Sequence, residues 1–198
     1  MFNNCATNKN LTLKLIHHGS IKTPLLHLGF PGDPHMRLRT FDYRHAELIL
    51  ARKCRLKSEI EYILCSLQLD TCYHIRRGQP VLPHRQIQRA FAESGWYSEA
   101  AASPLTGART RFDLSKNGVA IEIETSSREY LYRDYFRFML AESQGILRVG
   151  IIILLDETLR AAEPHAFRCV SPRLDDVVYD LRCLNSWISV PIWAVALR

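Results

Sequence analysis

The chain has 198 residues, 47% apolar and 23% charged, proportions of an ordinary globular protein that exclude a disordered, low-complexity or fibrous chain and leave room for one domain with a full core. Lys and Arg number 26 against 20 Asp and Glu, a formal charge of +6; this moderately basic balance suits a polyanionic partner such as nucleic acid without requiring one. The longest apolar run, around Gly150 to Leu155, falls well short of the ~20 residues that cross a bilayer, and Met1 to Asn10 lack the basic-then-apolar order of a secretory signal, so a cytoplasmic protein with no membrane partner is expected.

Residues 1–35 show no core face. A short strand-like stretch, Leu11 to Ile16, is followed by Pro24, Pro31, Gly32 and Pro34, and the irregularly spaced His17, His18, His27 and His35 read as loop histidines rather than metal ligands. From Tyr43 to Leu69 the pattern is helical: Leu56, Ile60, Ile63, Leu64 and Leu67 recur on one face. Arg52, Lys53, Arg55 and Lys57, at the junction with a shorter helix, are a solvated basic patch or a phosphate contact. Pro83 suits a first helical turn, Ile87 and Phe91 share a face, and Ser94-Gly95 ends the segment before Trp96. A small-residue linker, Ala100 to Gly107, follows.

The period then changes. Arg111 to Leu114 and Val119 to Glu124 read as strands joined through Asn117-Gly118, the strongest short hairpin signal. A helix follows from about Glu129 to Glu142, with Leu131, Tyr135, Phe138 and Met139 as its core face, stopped by Gln144-Gly145. Ile146 to Leu155 has the continuous apolar composition of a strand covered on both sides. A polar stretch, Asp156 to Asn185, precedes a last strand, Ile188 to Leu197. Six cysteines without a C-x-x-C pair read as free, mostly buried thiols. The order predicts an α/β fold with a mixed sheet flanked by helices.

The chemistry-bearing segment is Arg111 to Glu124. Alternate strand residues share a face, so Glu122 and Glu124 lie side by side, opposite in direction to Val119, Ile121 and Ile123. With a two-residue turn, Lys116 pairs with Val119 and Asp113 stands opposite Glu122; a four-residue loop would place it opposite Ala120. Like charges at directly opposed positions destabilise a sheet and call for a cation. Carboxylate oxygens with room for water and phosphate suit Mg²⁺, with Asp113 and Glu122 holding the ion and Glu124 orienting a nucleophilic water or helping to carry a second metal. The alternative is an exposed acidic hairpin face balanced by Arg111, Lys116 and Arg128.

An acid, a hairpin and Glu-x-Glu on the next strand resemble the PD-(D/E)xK nuclease core, here in the version of the BglII/BstYI (BamHI-like) type II restriction endonucleases. Neighbouring segments match in order: Leu56-Lys-Ser-Glu-Ile-Glu-Tyr-Ile-Leu64, the helix closing in Gly95-Trp96, Val119-Ala-Ile-Glu-Ile-Glu124, Tyr132-Arg-Asp-Tyr-Phe-Arg-Phe138, Val149-Gly-Ile-Ile-Ile-Leu154 and Val190-Pro-Ile192. The resemblance covers roughly Arg37 to Val195. It departs from the pattern at Phe112, where the family carries Pro; at Glu124, where BglII and BstYI carry Gln, the wider superfamily Lys and BamHI-like enzymes Glu; and in a shorter linker from Trp96 to Asp113.

The resemblance implies a restriction-endonuclease-like core over residues 36–198, with residues 1–35 an extension outside it. It implies a homodimer cutting double-stranded DNA at a short palindrome, GATC-centred by analogy, with a companion DNA methyltransferase. Asp113, Glu122 and Glu124 would be catalytic, and Asp113, Glu122 and the Ile123 carbonyl would bind Mg²⁺. Thr125, Ser126, Ser127 and Arg128, which leave the catalytic strand, and the Arg168 to Arg173 segment with Arg168 and Arg173 at its ends, are candidates for DNA contact. Arg133-Asp134 reads as an internal ion pair, and Tyr130, Tyr132 and Tyr135 as packing or dimer-contact residues. A nuclease of the same core in repair or mobile-element processing, and a DNA-binding protein without catalysis, are the other readings.

Overall fold

The computed structural model describes residues 36–52, 55–69, 75–76, 79–80, 83–102, 110–125, 127–157, 159 and 171–198. Expectations for residues 1–35, Lys53, Ser126 and Arg168 lie outside these. The elements in chain order are β1 (Leu38–Tyr43), α1 (Ala46–Arg52), α2 (Leu56–Cys65), β2 (Ile75–Arg76), β3 (Gln79–Pro80), α3 (Pro83–Glu93), β4 (Tyr97–Ala101), β5 (Arg111–Lys116), β6 (Val119–Glu124), α4 (Arg128–Ser143), β7 (Val149–Leu155), α5 (Leu174–Cys183) and β8 (Ile192–Leu197).

A six-stranded mixed sheet runs β1-β8-β7-β6-β5-β4. Its centre, β6, β7 and β8, is parallel, and β1, β5 and β4 are antiparallel to their neighbours. Every residue of the three central strands is buried, as a parallel sheet covered on both faces requires. On one face Ile121, Ile123, Ile151, Ile153, Trp193 and Val195 pack under α1, α2 and α3 through Leu50, Ile60, Leu64, Ile87 and Phe91. On the other, Ala120, Ile152, Leu154 and Ala194 meet Leu131 and Phe138 of α4 and Val177 and Leu181 of α5. The residues of Gly150 and Phe138 explain one small side chain in the sheet centre, since a Cβ at Gly150 would lie 2.6 Å from the Phe138 ring.

The Asn117-Gly118 turn forms as expected, with φ of 52° and 78°, the left-handed pair that a two-residue hairpin needs. Five elements were not visible in the sequence: β1, β4, α5 and the two-residue strands β2 and β3. β1 and β4 bury few residues and lack alternation, and α5 lies in the stretch read as polar because Leu174, Val177 and Leu181 are spread among charged residues. Of the described cysteines, Cys65 is half-buried and Cys183 exposed, both free, so burial of these thiols is less complete than expected. Among the described residues no helix is long and apolar enough to cross a membrane.

Candidate active site

Strand β5 changes face at Asp113. Phe112 and Leu114, two apart, pack in opposite layers, where a regular strand would put them on one side. Pairing with β4 skips the same point: Ser98 pairs with Leu114 and Ala100 with Phe112, while Glu99 between them has φ 55°. Pairing with β6 runs Lys116↔Val119, Ser115↔Ala120 and Leu114↔Ile121. This is the register expected from the two-residue turn, but it stops one residue before Asp113 and Glu122. The hairpin therefore opens where the acids stand.

Asp113 bridges the opening with its own side chain. Ile123 N–H donates to Asp113 Oδ2 at 2.8 Å, Gln88 Nε2 of α3 donates to the Asp113 carbonyl at 3.2 Å, and His84 Nε2 lies 3.7 Å from Asp113 Oδ1. The second ring nitrogen of His84, Nδ1, is 3.1 Å from the Ile123 carbonyl oxygen. Glu122 and Glu124 are 3% and 5% exposed, beneath α4, and Asp113 is close enough to act electrostatically on Glu122. That helix contributes Asp134, also buried, and Arg137, whose Nη1 donates to Glu122 Oε1 at 2.9 Å and to Asp134 Oδ1 at 3.2 Å. Arg133 Nε reaches Asp134 at 3.7 Å, the internal ion pair expected from the sequence.

Four carboxylates thus gather near one buried guanidinium. Burial pushes the Glu122 carboxyl up to about 9, reinforced by Asp134 and Asp113 and only partly offset by Arg137. Burial and then Glu124 raise Asp134 to about 7, against Arg137 and Arg133. A low-dielectric cluster of like charges favours the protonated forms, and a bound cation would reverse that preference. The oxygens of Asp113, Glu122 and the Ile123 carbonyl could hold a hard divalent ion, since Mg²⁺ typically takes one or two carboxylates together with water and substrate phosphate rather than an all-protein cage. Among the described residues, no group of three or more His, Cys, Asp or Glu side chains is arranged to hold a metal ion by itself.

Two of the cations expected to balance the acids serve other partners. Lys116 Nζ donates to Glu59 Oε1 at 2.7 Å and to the Ser94 carbonyl, tying the hairpin tip to α2. Arg128 pairs with Asp176 at 3.3 Å and Asp180 at 2.7 Å, fastening the start of α4 to α5. Lys57, from the basic junction, is held by Glu47 and Glu61. Of the expected DNA-contact residues, the Thr125 carbonyl accepts from Ser171 Oγ, Ser127 caps α4 by accepting from Glu129 N–H, and Arg173 is exposed and pairs with Glu157 at 2.8 Å. Tyr135 is buried, while Tyr130 and Tyr132 are exposed. His84, Gln88 and Arg137 were missed by the sequence reading. The Arg137 signal was its place one turn after Asp134 on the helix that follows Glu124; nothing local marked His84.

A family model described as restriction endonuclease BglII/BglIII matches residues 38–197. Among solved structures, the chain is similar to the crystal structure of restriction endonuclease BglII complexed with a DNA 16-mer, at 20% identity and a TM-score of 0.64, over 81% of this chain and 75% of that one. It is also similar to the crystal structure of free BglII, at 22% identity and a TM-score of 0.55, over 81% of this chain and 78% of that one. No curated protein matches significantly.

Proposed function

The chain belongs to the BglII/BglIII family of restriction endonucleases, hydrolases that cleave double-stranded DNA, and on that premise we propose a Mg²⁺-dependent type II enzyme acting at a short, GATC-centred palindrome. The observation behind the site assignment is the opened end of the β5–β6 hairpin, where pairing stops one residue short of Asp113 and Glu122 and Asp113 Oδ2 accepts from Ile123 N–H. Asp113, Glu122 and the Ile123 carbonyl would hold the ion. When bound, a divalent ion polarises the phosphodiester and lowers the pKa of an attacking water.

The chain's own groups do the rest. Glu124, next along the Glu122 face, orients the water or accepts its proton. Arg137 keeps Glu122 in place and neutralises part of the acidic cluster. Thr125, Ser126 and Ser127, which follow the catalytic strand in sequence, would read base edges, and Arg168 and Arg173 would meet DNA. The homodimer expected of a palindrome reader presents two such sites, one per strand. Residues 1–35 form an extension outside the endonuclease domain, and a companion methyltransferase protects host DNA.

Digestion of a defined plasmid with Mg²⁺ tests this reading. Wild type gives discrete fragments whose sequenced ends locate the palindrome, and Glu122→Ala gives none. An intact plasmid across a range of divalent metals and salt overturns the nuclease reading, and equal cleavage by both proteins overturns the site assignment.

A further inference from the structure

In an antiparallel ladder alternate pairs exchange both backbone hydrogen bonds. Counting from Lys116 and Val119, which flank the turn, the exchanging pairs are Lys116 with Val119, Leu114 with Ile121 and then Phe112 with Ile123. Pairing ends at Leu114↔Ile121, so both backbone groups of Ile123 on that side need other partners. The N–H takes Asp113 Oδ2 at 2.8 Å. The carbonyl takes His84 Nδ1 at 3.1 Å. Because a carbonyl only accepts, this contact requires a proton on Nδ1, while Nε2 faces Asp113 Oδ1 at 3.7 Å.

His84 and Gln88 stand one turn apart on α3, and Gln88 Nε2 holds the Asp113 carbonyl at 3.2 Å. One helix face thus reaches both strands of the opened hairpin. A carbonyl oxygen has two lone pairs; His84 occupies one and leaves the other for a cation. Removing the imidazole would leave this carbonyl at the open end of the β5–β6 ladder without its donor, with this end of β6 held by its pairing to β7.

We propose that His84 is a positioning residue for divalent-metal binding, its Nδ1–H fixing the Ile123 carbonyl, with Asp113 secured alongside by Gln88. This rests on the metal-site reading above. Partners of this kind behind metal ligands typically govern affinity by 10–100-fold.

The test is Mn²⁺ binding to the full chain without DNA, followed through the electron paramagnetic resonance signal of the free ion, with thermal unfolding in chelator alongside. His84→Ala is expected to bind Mn²⁺ at least about tenfold more weakly than wild type. His84→Asn, whose amide nitrogen occupies the place of Nδ1, restores binding, and His84→Gln, whose amide corresponds to Nε2, does not. Wild-type affinity in His84→Ala overturns the proposal. Should that variant fail to unfold cooperatively, the Asn and Gln pair decides: equal affinities overturn it. Glu122→Gln separates the two layers. If it binds Mn²⁺ like wild type, the metal-site reading itself fails; if it loses binding while His84→Ala keeps it, only the role of His84 fails.

Discussion

Replacing Arg137 with Met removes the guanidinium while keeping an unbranched apolar stem. The Arg137 side chain is 13% exposed, and its partners Glu122 and Asp134 are 3% and 2% exposed. Removing one member of a buried ionic cluster typically costs about 3–5 kcal/mol, because the remaining charges are left uncompensated. The acids have one escape, which is to bind protons. Glu122 and Asp134 titrate near 9 and 7 even with Arg137 present, and higher without it. Near pH 6 both are neutral, and the loss reduces to hydrogen bonds and packing, about 1 kcal/mol. Near pH 9 Asp134 is ionised and Glu122 about half so, and the loss is about 3 kcal/mol. Urea unfolding of both proteins in chelator, followed by the fluorescence of buried Trp96 and Trp193, measures the difference at each pH. A loss that is the same at both, or below about 1 kcal/mol near pH 9, would refute the view that Arg137 neutralises ionised carboxylates.

The metal-free wild type carries its own pH signature. Glu122 and Asp134 are raised from 4.5 and 3.8 in the folded state, so the folded state holds protons that the unfolded state releases, and stability falls as pH rises from about 4 toward 9. The melting midpoint in chelator is lower at pH 9 than at pH 6, the fall is smaller in Glu122→Gln, and added Mg²⁺ raises the midpoint more at pH 9; a Glu122→Gln slope equal to wild type would contradict the assignment. Gly150→Ala drives a Cβ to 2.6 Å from Phe138, which is stacked on Phe112 at 5.8 Å and has little room to yield, so overpacking costs about 1–3 kcal/mol by urea unfolding; Phe138→Leu in the same chain recovers part of it. Arg128→Gln breaks the pairs to Asp176 and Asp180 and, with Arg128 partly exposed, lowers stability by about 1–2 kcal/mol while the cleavage site read from fragment ends stays the same. A changed cleavage site at unchanged stability would make Arg128 a base-reading residue instead.

The local sequence determined whatever depends on period and turn chemistry. Alternation from Val119 to Glu124 set which side chains face together, Asn117-Gly118 set the register, and the apolar run ending at Leu155 marked a strand buried on both sides. Order along the chain was enough to carry the family resemblance. Short edge strands were not legible, because β1 and β4 bury too few residues to alternate. Nor was the opening at Asp113, which requires β4, β5 and β6 to lose pairing at one level. His84 and Gln88 come from 39 and 25 residues away along the chain from their backbone partners on β6 and β5, and Arg137 reaches Glu122 from the helix that covers the other face. A strand fixes the direction of its own side chains through a repeat of two residues, but the helix that lands on each face is chosen by sheet order and packing. The tertiary structure therefore decided which groups hold the acids in place.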